Sequence, residues 1–177
     1  MKIKGIIIED FVNYKKPCMT IEMPYCDFKC NKECGKEVCH NYSMKDDKII
    51  NISAKTLVEK YYKHNPITKA ICLQGLEPFD SFDDIIELLN AIMDYNINDD
   101  IIIYTGYYPE EIKDKLAKIY DLGNNLIDTI DQISIKFGRY IPDRPSKYDD
   151  WLGVTLASDN QFSKHISTLA YEFHYFR

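Results

Sequence analysis

The stretch of sequence that decides the fold runs from Cys26 to Asn41 and reads C-D-F-K-C-N-K-E-C-G-K-E-V-C-H-N. This cysteine loop holds four of the six cysteines of the chain, at positions 26, 30, 34 and 39. The alternating run from Met19 to Pro24 precedes it and predicts a strand. Thiolates gathered in a loop directly after a strand are good ligands for a soft metal. The sequence therefore predicts a metal centre at the end of that strand.

Two kinds of metal centre fit four neighbouring cysteines. Four thiolates could close the tetrahedral shell of a structural zinc ion, although the spacing lacks the two C-x2-C pairs of a zinc ribbon. Alternatively, three thiolates hold a 4Fe-4S cluster and leave one iron open for a substrate or cofactor. The spacing favours the open cluster, and a non-enzymatic four-cysteine zinc-binding module is the alternative.

Length and charge narrow the class of protein. The chain has 177 residues, which suits a single domain spanning 1–177. Its net charge of −6 argues against general nucleic-acid binding. No apolar run approaches the roughly 18 residues of a membrane span, and Met1–Gly5 lacks the shape of a signal peptide. We therefore expect no nucleic-acid or membrane partner and a cytoplasmic location, where clustered cysteines bind metal more often than they form disulfides.

Helical and strand patterns alternate from residue 53 onward. The predicted helices are 53–64 with Ser53 as its cap, one opened by Ser81, one from Pro109 to near Gly123, and a short one in the tail after Gln161 that precedes a last extended piece. The predicted strands are 3–8, 19–24, 69–74, 100–104, 131–137 and 151–157. This alternation predicts an α/β fold with a mostly parallel sheet and right-handed crossovers. A complete barrel of eight strand–helix units needs about 250 residues, so we expect a partial, open (β/α) barrel.

Several polar or glycine-containing turns follow the predicted strands. They are the cysteine loop, the turn Gly75–Pro78, the turn Thr105–Tyr107 and the turn at Gly138. Ligands of such sheets gather at the carboxyl ends of the strands. We therefore expect these turns to share one rim and to form one site.

The pair Cys26-x3-Cys30 after a strand resembles the radical S-adenosylmethionine superfamily, whose hallmark is C-x3-C-x2-C after the first barrel strand. The chain departs from that hallmark, because no cysteine lies three positions after Cys30. The resemblance favours Cys39 as the third ligand, since an apolar residue precedes it and an asparagine follows it, whereas Cys34 lacks both neighbours. Residues 31–38 would then be a small insertion, and Cys34 stays the alternative third ligand.

The same resemblance implies residues that bind S-adenosylmethionine. Next to Cys39 it implies Val38, His40 and Asn41. Gly75-Leu76-Glu77-Pro78 is similar to the superfamily's G-G-E-P-like turn, which holds the amino group of S-adenosylmethionine, although Leu76 replaces its second glycine. A glycine allows close approach of the backbone, and a carboxylate or carbonyl accepts from an ammonium group.

Further motifs resemble one branch of the superfamily, the activating proteins of anaerobic ribonucleotide reductase. Tyr104-Thr105-Gly106-Tyr107 is similar to their turn before a helix, which implies Thr105 and Gly106 as cofactor contacts. Lys136 or Arg139 could meet the carboxylate of the cofactor. Ser158-Asp159-Asn160-Gln161 is similar to their terminal motif, but Phe162 stands where an arginine is expected.

The resemblance implies a reaction and its partners. The protein would cleave S-adenosylmethionine reductively to a 5′-deoxyadenosyl radical and use it to install a glycyl radical. The implied partners are a glycyl radical enzyme, the large subunit of an anaerobic ribonucleotide reductase, and an electron donor of the flavodoxin or ferredoxin type. A radical S-adenosylmethionine enzyme acting on another small molecule or peptide is the alternative within the same class.

Overall fold

The computed structural model describes residues 1–124 and 132–174, and it is built around one six-stranded sheet. The strands of the described chain are β1 (Lys2–Ile3), β2 (Gly5–Asp10), β3 (Cys18–Met23), β4 (Ile50–Asn51), β5 (Ala70–Gly75), β6 (Asp100–Tyr104), β7 (Ile133–Phe137), β8 (Lys147–Asp149), β9 (Val154–Leu156) and β10 (Phe162–His165). Its α-helices are α1 (Lys29–Cys34), α2 (Ala54–Thr56), α3 (Phe82–Asp94), α4 (Lys113–Asn124) and α5 (Ile166–Glu172). A π-helical segment, Leu57–Tyr62, continues α2, and 3-10 turns occupy Tyr42–Asp46, Pro78–Ser81 and Pro109–Ile112.

The central sheet has the strand order β10-β7-β6-β5-β3-β2. Its four inner strands, β7, β6, β5 and β3, are parallel, whereas β2 and β10 pair antiparallel at the two edges. The inner strands are buried nearly throughout, as expected when both faces of a sheet are covered. The prediction of an α/β fold with a mostly parallel sheet is confirmed. In the described chain the sheet does not close on itself, so the barrel type stays a prediction.

Helices cover one face of the sheet because their apolar residues recur at helical spacing. In α3 the predicted stripe of Ile85, Leu88, Leu89 and Ile92 is buried in the main core. Ser53 caps α2 as predicted, since its hydroxyl accepts from the backbone N–H of Thr56 at 3.1 Å. No helix of the described residues is long and apolar enough to cross a membrane.

One capping prediction is wrong in its mechanism. Ser81 occupies the position before α3, but its side chain makes no capping hydrogen bond. The chain enters α3 through the 3-10 turn Pro78–Ser81, and the carboxylate of Glu77 caps that turn by accepting from the N–H of Phe79 at 3.0 Å. Glu77 therefore fixes both the end of the predicted G-L-E-P turn and the start of the helix.

A hairpin of β8 and β9 lies over the other face of the sheet, next to a second core cluster that contains Cys18 and Cys72. Both cysteines are fully buried, as expected for small hydrophobic side chains. The predicted strand 151–157 is wrong in part, because extended backbone is confined to Val154–Leu156 and pairs outside the central sheet. The reason is a turn at Gly153, which has a φ of 72° and donates its N–H to the carbonyl of Asp149.

The end of the chain also differs from the prediction. After Gln161 the extended piece comes first, as β10, and the short helix α5 follows it. Phe162 belongs to β10 and stacks on Phe137 of β7, with ring centroids 5.6 Å apart. Asp131, the first residue of the predicted strand 131–137, lies outside the described residues.

Candidate metal and cofactor site

A cavity of about 450 Å³ opens at the carboxyl ends of the parallel strands. Its wall is formed by the cysteine loop after β3, the turn after β5, the turn after β6, the end of β7 and the inner edge of the β8–β9 hairpin. The four turns that the sequence analysis assigned to one rim therefore meet at one cavity. Lining residues that the sequence analysis did not single out as ligands include Val12, Asn13, Tyr140 and Thr155.

Three of the four clustered cysteines face this cavity. Cys26, Cys30 and Cys39 line it, whereas Cys34 lies at the far end of α1, away from the cavity wall. All four are free thiols. The cavity thus receives three sulfur ligands from a four-cysteine loop.

The sulfur spacing bears on which metal the loop could hold. A tetrahedral zinc ion with Zn–S bonds of about 2.3 Å would bring its thiolates to within about 3.8 Å of one another. In the described chain no three of these thiols lie mutually within 4.8 Å. Cys30 and Cys39 are near enough to share a side-chain hydrogen bond, whereas the three cavity-facing thiols together do not enclose one ion. The donor set itself, three thiols at the cavity with Cys34 outside it, fits a 4Fe-4S cluster with one open iron.

Two of the cavity thiols, Cys26 and Cys30, have raised pKa values and are protonated at neutral pH when no metal is bound. Burial is the main cause that raises the pKa of Cys26 to about 12; the N–H of Phe28 opposes this rise, and the charges of Glu77, Asp80 and Cys39 contribute to it. Burial also raises the pKa of Cys30 to about 11, with added contributions from Cys39. Since thiolates are the form that binds metal, loading the site must release protons.

Two backbone bonds fix the turn after β5 against the segment that joins β3 to the cysteine loop. Leu76 donates its N–H to the carbonyl of Met23 at 3.1 Å, and Glu77 donates its N–H to the carbonyl of Tyr25 at 2.7 Å. On the far side of the loop, the side-chain amide of Asn41 donates to the carbonyl of Gly75 at 2.6 Å. The start and the end of the cysteine loop are therefore both anchored on this one turn.

The Glu77 carboxylate sits in a cradle of donors at the cavity wall. It is 6% exposed and accepts from the hydroxyl of Thr105 at 2.7 Å and the N–H of Gly106 at 2.8 Å, besides Phe79. Burial raises the pKa of Glu77 to about 7, although these donors oppose the rise. Glu77 thereby joins the turn after β5 to the turn after β6.

Lys136 of β7 is a buried cation at the cavity. Its side chain is 7% exposed, and its ammonium donates to the carbonyl of Gly138 at 3.0 Å. Among the described residues, no carboxylate lies within ion-pair distance of this ammonium. Burial lowers the pKa of Lys136 to about 8, and the charge of Glu77 works in the opposite direction. The cavity therefore offers a cation that an anionic ligand would neutralise.

Arg139 is committed to neighbouring carboxylates. Its guanidinium binds Glu111 through two bonds of 2.7 and 3.1 Å, binds Glu33 of α1 at 2.9 Å, and also donates to the carbonyl of Gly106. Two cations were predicted for a cofactor carboxylate, and within the described ranges 1–124 and 132–174 Lys136 is the one without an acidic partner. Arg139 instead ties α1 to the opposite rim.

A second contact across the cavity pairs His40 with Tyr140, whose ring centroids are 4.5 Å apart. Tyr140 was not predicted as a site residue, and the signal for it was its place directly after the Gly138 turn. The predicted site residues that line the cavity are Cys26, Cys30, Cys39, His40, Asn41, Gly75, Leu76, Glu77, Thr105, Gly106 and Lys136. Val38 and Cys34 lie outside the set of lining residues.

Three thiols of the cysteine loop face one cavity at the carboxyl ends of the parallel strands. Such a set of sulfur ligands is typical of a metal-binding protein that holds an iron–sulfur cluster. The family model described as "4Fe-4S single cluster domain" matches residues 22–153. This match covers most of the chain and includes the whole cysteine loop, so the chain belongs to that family and is an iron–sulfur protein. A comparison with curated proteins found no match.

Proposed function

We propose that the protein is a 4Fe-4S enzyme of the radical S-adenosylmethionine type. The observation that carries this proposal is the arrangement of Cys26, Cys30 and Cys39 around one cavity, with Cys34 outside it. Three thiolates leave one iron of a 4Fe-4S cluster without a protein ligand. A 450 Å³ cavity next to that position, within the usual size range of ligand pockets, gives room for a cofactor.

The side chains of the cavity support S-adenosylmethionine as the cofactor. The Lys136 ammonium would pair with the carboxylate of its methionine part, because a buried cation without an acidic partner is stabilised by an anion. Glu77 holds the turns after β5 and β6 together, which keeps Gly75 and Gly106, two residues without side chains, at the cavity wall beside the ligand. When bound, the cluster supplies one electron to the sulfonium. The protein positions the substrate and excludes water.

In the proposed reaction, one electron breaks the bond between the sulfonium sulfur and C5′, which gives methionine and a 5′-deoxyadenosyl radical. This radical takes a hydrogen atom from a glycine of the partner, leaving 5′-deoxyadenosine and a glycyl radical. The partner would be the large subunit of an anaerobic ribonucleotide reductase, and the electron would come from a flavodoxin or ferredoxin. A cytoplasmic location suits this chemistry, since the cytosol is a reducing compartment.

The cluster is tested by anaerobic reconstitution with iron and sulfide. We expect brown protein with close to four irons per chain and, after one-electron reduction, an electron paramagnetic resonance signal that changes when S-adenosylmethionine is added. Cys39→Ala should strip the cluster, whereas Cys34→Ala, the matched control from the same loop, should retain the iron. Iron loss in Cys34→Ala with retention in Cys39→Ala would overturn the ligand assignment. Colourless protein with one tightly bound zinc would favour the zinc module.

The reaction and its target are tested separately. Reduced protein is incubated with S-adenosylmethionine, with and without a candidate anaerobic reductase, and 5′-deoxyadenosine and the glycyl radical doublet are measured. Deoxyadenosine together with the doublet supports the activase. Deoxyadenosine without the doublet favours the alternative with another small-molecule or peptide substrate. A reconstituted cluster that forms no deoxyadenosine under reducing conditions would refute radical S-adenosylmethionine chemistry.

A further inference from the structure

We propose that Asn31 is a positioning residue that closes the inserted lobe, residues 31–38, and thereby sets Cys39 beside Cys30. The inference rests on the proposed cluster site, because it concerns how the third ligand reaches that site. Asn31 does not line the cavity. It acts on Cys39, the third cluster ligand, through hydrogen bonds to the backbone.

The side-chain carbonyl of Asn31 joins the two ends of the lobe. Its Oδ1 accepts from the N–H of Val38 at 2.9 Å and from the N–H of Cys39 at 2.9 Å. The thiol of Cys30 also lies 3.7 Å from the same oxygen. One atom therefore fixes the backbone that enters the third ligand and also contacts the second ligand.

The local backbone explains how this closure arises. Asn31 lies in α1, directly after Cys30, and α1 ends at Cys34. Gly35 follows with a φ of 64°, a left-handed conformation that turns the chain back. Within the lobe, Lys32, Glu33 and the three residues 35–37 are exposed. The excursion has no core of its own, so side-chain and backbone bonds must hold its ends together.

Because the two ends of the lobe meet, Cys39 follows Cys30 in space as closely as it would with a much shorter spacing in sequence. Since Asn31 lies against Val38 and Cys39, the six residues 32–37 form an excursion whose ends already meet. Removing residues 32–37 would give Cys30-Asn31-Val38-Cys39, a C-x2-C spacing. A covalent bond between Asn31 and Val38 would then replace the two hydrogen bonds that Asn31 provides in the full chain.

The first test compares point variants in the full chain. Asn31→Leu removes the acceptor and leaves two backbone N–H groups without it, so we expect about tenfold faster loss of the reconstituted cluster to an iron chelator. Asn31→Asp keeps an acceptor oxygen and should retain wild-type kinetics. Lys32→Ala, an exposed neighbour in the same helix, is the matched control and should also behave as wild type.

A second readout does not need the cluster. In a Cys34→Ser background, the metal-free protein is titrated with phenylarsine oxide, which bridges two neighbouring thiols. Asn31→Leu should weaken arsenical binding about tenfold, whereas Asn31→Asp should restore it. Thermal unfolding of the metal-free variants reports whether the chain still folds. Equal cluster loss and equal arsenical binding in Asn31→Leu and wild type would overturn the proposal.

The decisive test places Asn31→Leu in the chain that lacks residues 32–37. The shortened chain should hold iron at the wild-type stoichiometry, and Asn31→Leu should have no effect in it. An equal loss of iron on Asn31→Leu in the shortened and full chains would show that Asn31 does not act by closing the lobe. A shortened chain that folds but loses its iron would also overturn the proposal. Failure of deoxyadenosine formation with normal iron retention would refute the proposed reaction and leave the role of Asn31 intact.

Discussion

Replacing Lys136 by methionine should stabilise the metal-free protein and weaken its binding of S-adenosylmethionine. Methionine keeps the length of the side chain and removes the buried charge. The carbonyl of Gly138 would stay satisfied, because the side-chain amide of Gln161 also donates to it at 3.1 Å. The substitution therefore removes a buried ammonium without leaving a buried acceptor unpaired.

The size of the gain follows from the pKa of Lys136, which burial lowers from 10.5 to about 8. That difference corresponds to about 3 kcal/mol of unfavourable free energy for the charged form, at about 1.4 kcal/mol per pKa unit. The free energy of unfolding at pH 7 should rise by up to this amount, which is about 6 to 12 °C in unfolding midpoint for a chain of this size. Loss of a charge-assisted hydrogen bond should weaken binding of S-adenosylmethionine about 10- to 100-fold.

The gain in stability from Lys136→Met should depend on pH. A lysine whose pKa is lowered by folding lowers the stability most below its folded pKa, and this effect disappears as the pH rises to the unfolded pKa. The stability difference between Lys136→Met and wild type should therefore be full below about pH 8 and vanish near pH 10.5. Urea unfolding at several pH values measures it, with the exposed Lys60→Met as the matched control. A Lys136→Met protein that is less stable than wild type at pH 7, or a difference that persists at pH 10.5, would refute the reasoning.

Three further substitutions test the turns around the site. Asp10→Ala removes a buried carboxylate whose pKa is lowered because its hydrogen bonds outweigh burial. Urea unfolding should show a loss of about 2–4 kcal/mol at pH 7 that becomes smaller as the pH falls below 3.8, where the carboxylate loses its charge. Gly75→Ala should lower the free energy of unfolding by at least about 2 kcal/mol, since the φ of Gly75 is 91° and a Cβ would lie 3.0 Å from the backbone of β3. Gly35→Ala is the control: its φ is also positive, but its Cβ would meet open space, so the loss should be about 1 kcal/mol. Equal losses in the two variants would exclude the steric explanation. Glu77→Gln cannot satisfy every donor in its cradle, so calorimetry should show an unfolding free energy lower by about 1–3 kcal/mol; an unchanged value would mean that the amide is accommodated.

The sheet could be predicted from the sequence because its inner strands are short apolar runs separated by helices. The run Asp100–Tyr104, for example, is buried at its three central isoleucines and lies between α3 and α4. The β8–β9 hairpin could not be predicted as such, because a strand that pairs outside the main sheet has the same local pattern as one inside it. The antiparallel pairing of β10 with β7 could not be predicted for a similar reason, because the direction of pairing depends on residues that are distant in sequence.

The site was predictable where the residue type itself carries the chemistry. Cysteines after a strand and turns at strand ends were enough to place most of the candidate ligands at one cavity. The joining of two turns by Glu77 and the pairing of Arg139 with two carboxylates were not predictable, because each depends on which distant groups the fold places next to the charged side chain. The closure by Asn31 was equally hidden, since it joins residues seven and eight positions apart through one side chain.

Trp151 lies in the β8–β9 hairpin and is the single tryptophan of the chain. Its indole N–H donates to the hydroxyl of Ser134 at 3.0 Å, and its ring lies 4.1 Å from that of His165. Residues 154–157 of the same hairpin line the cavity. The protein thus contains its own optical reporter: a shift in indole fluorescence on adding a ligand would signal movement of the hairpin without any attached dye.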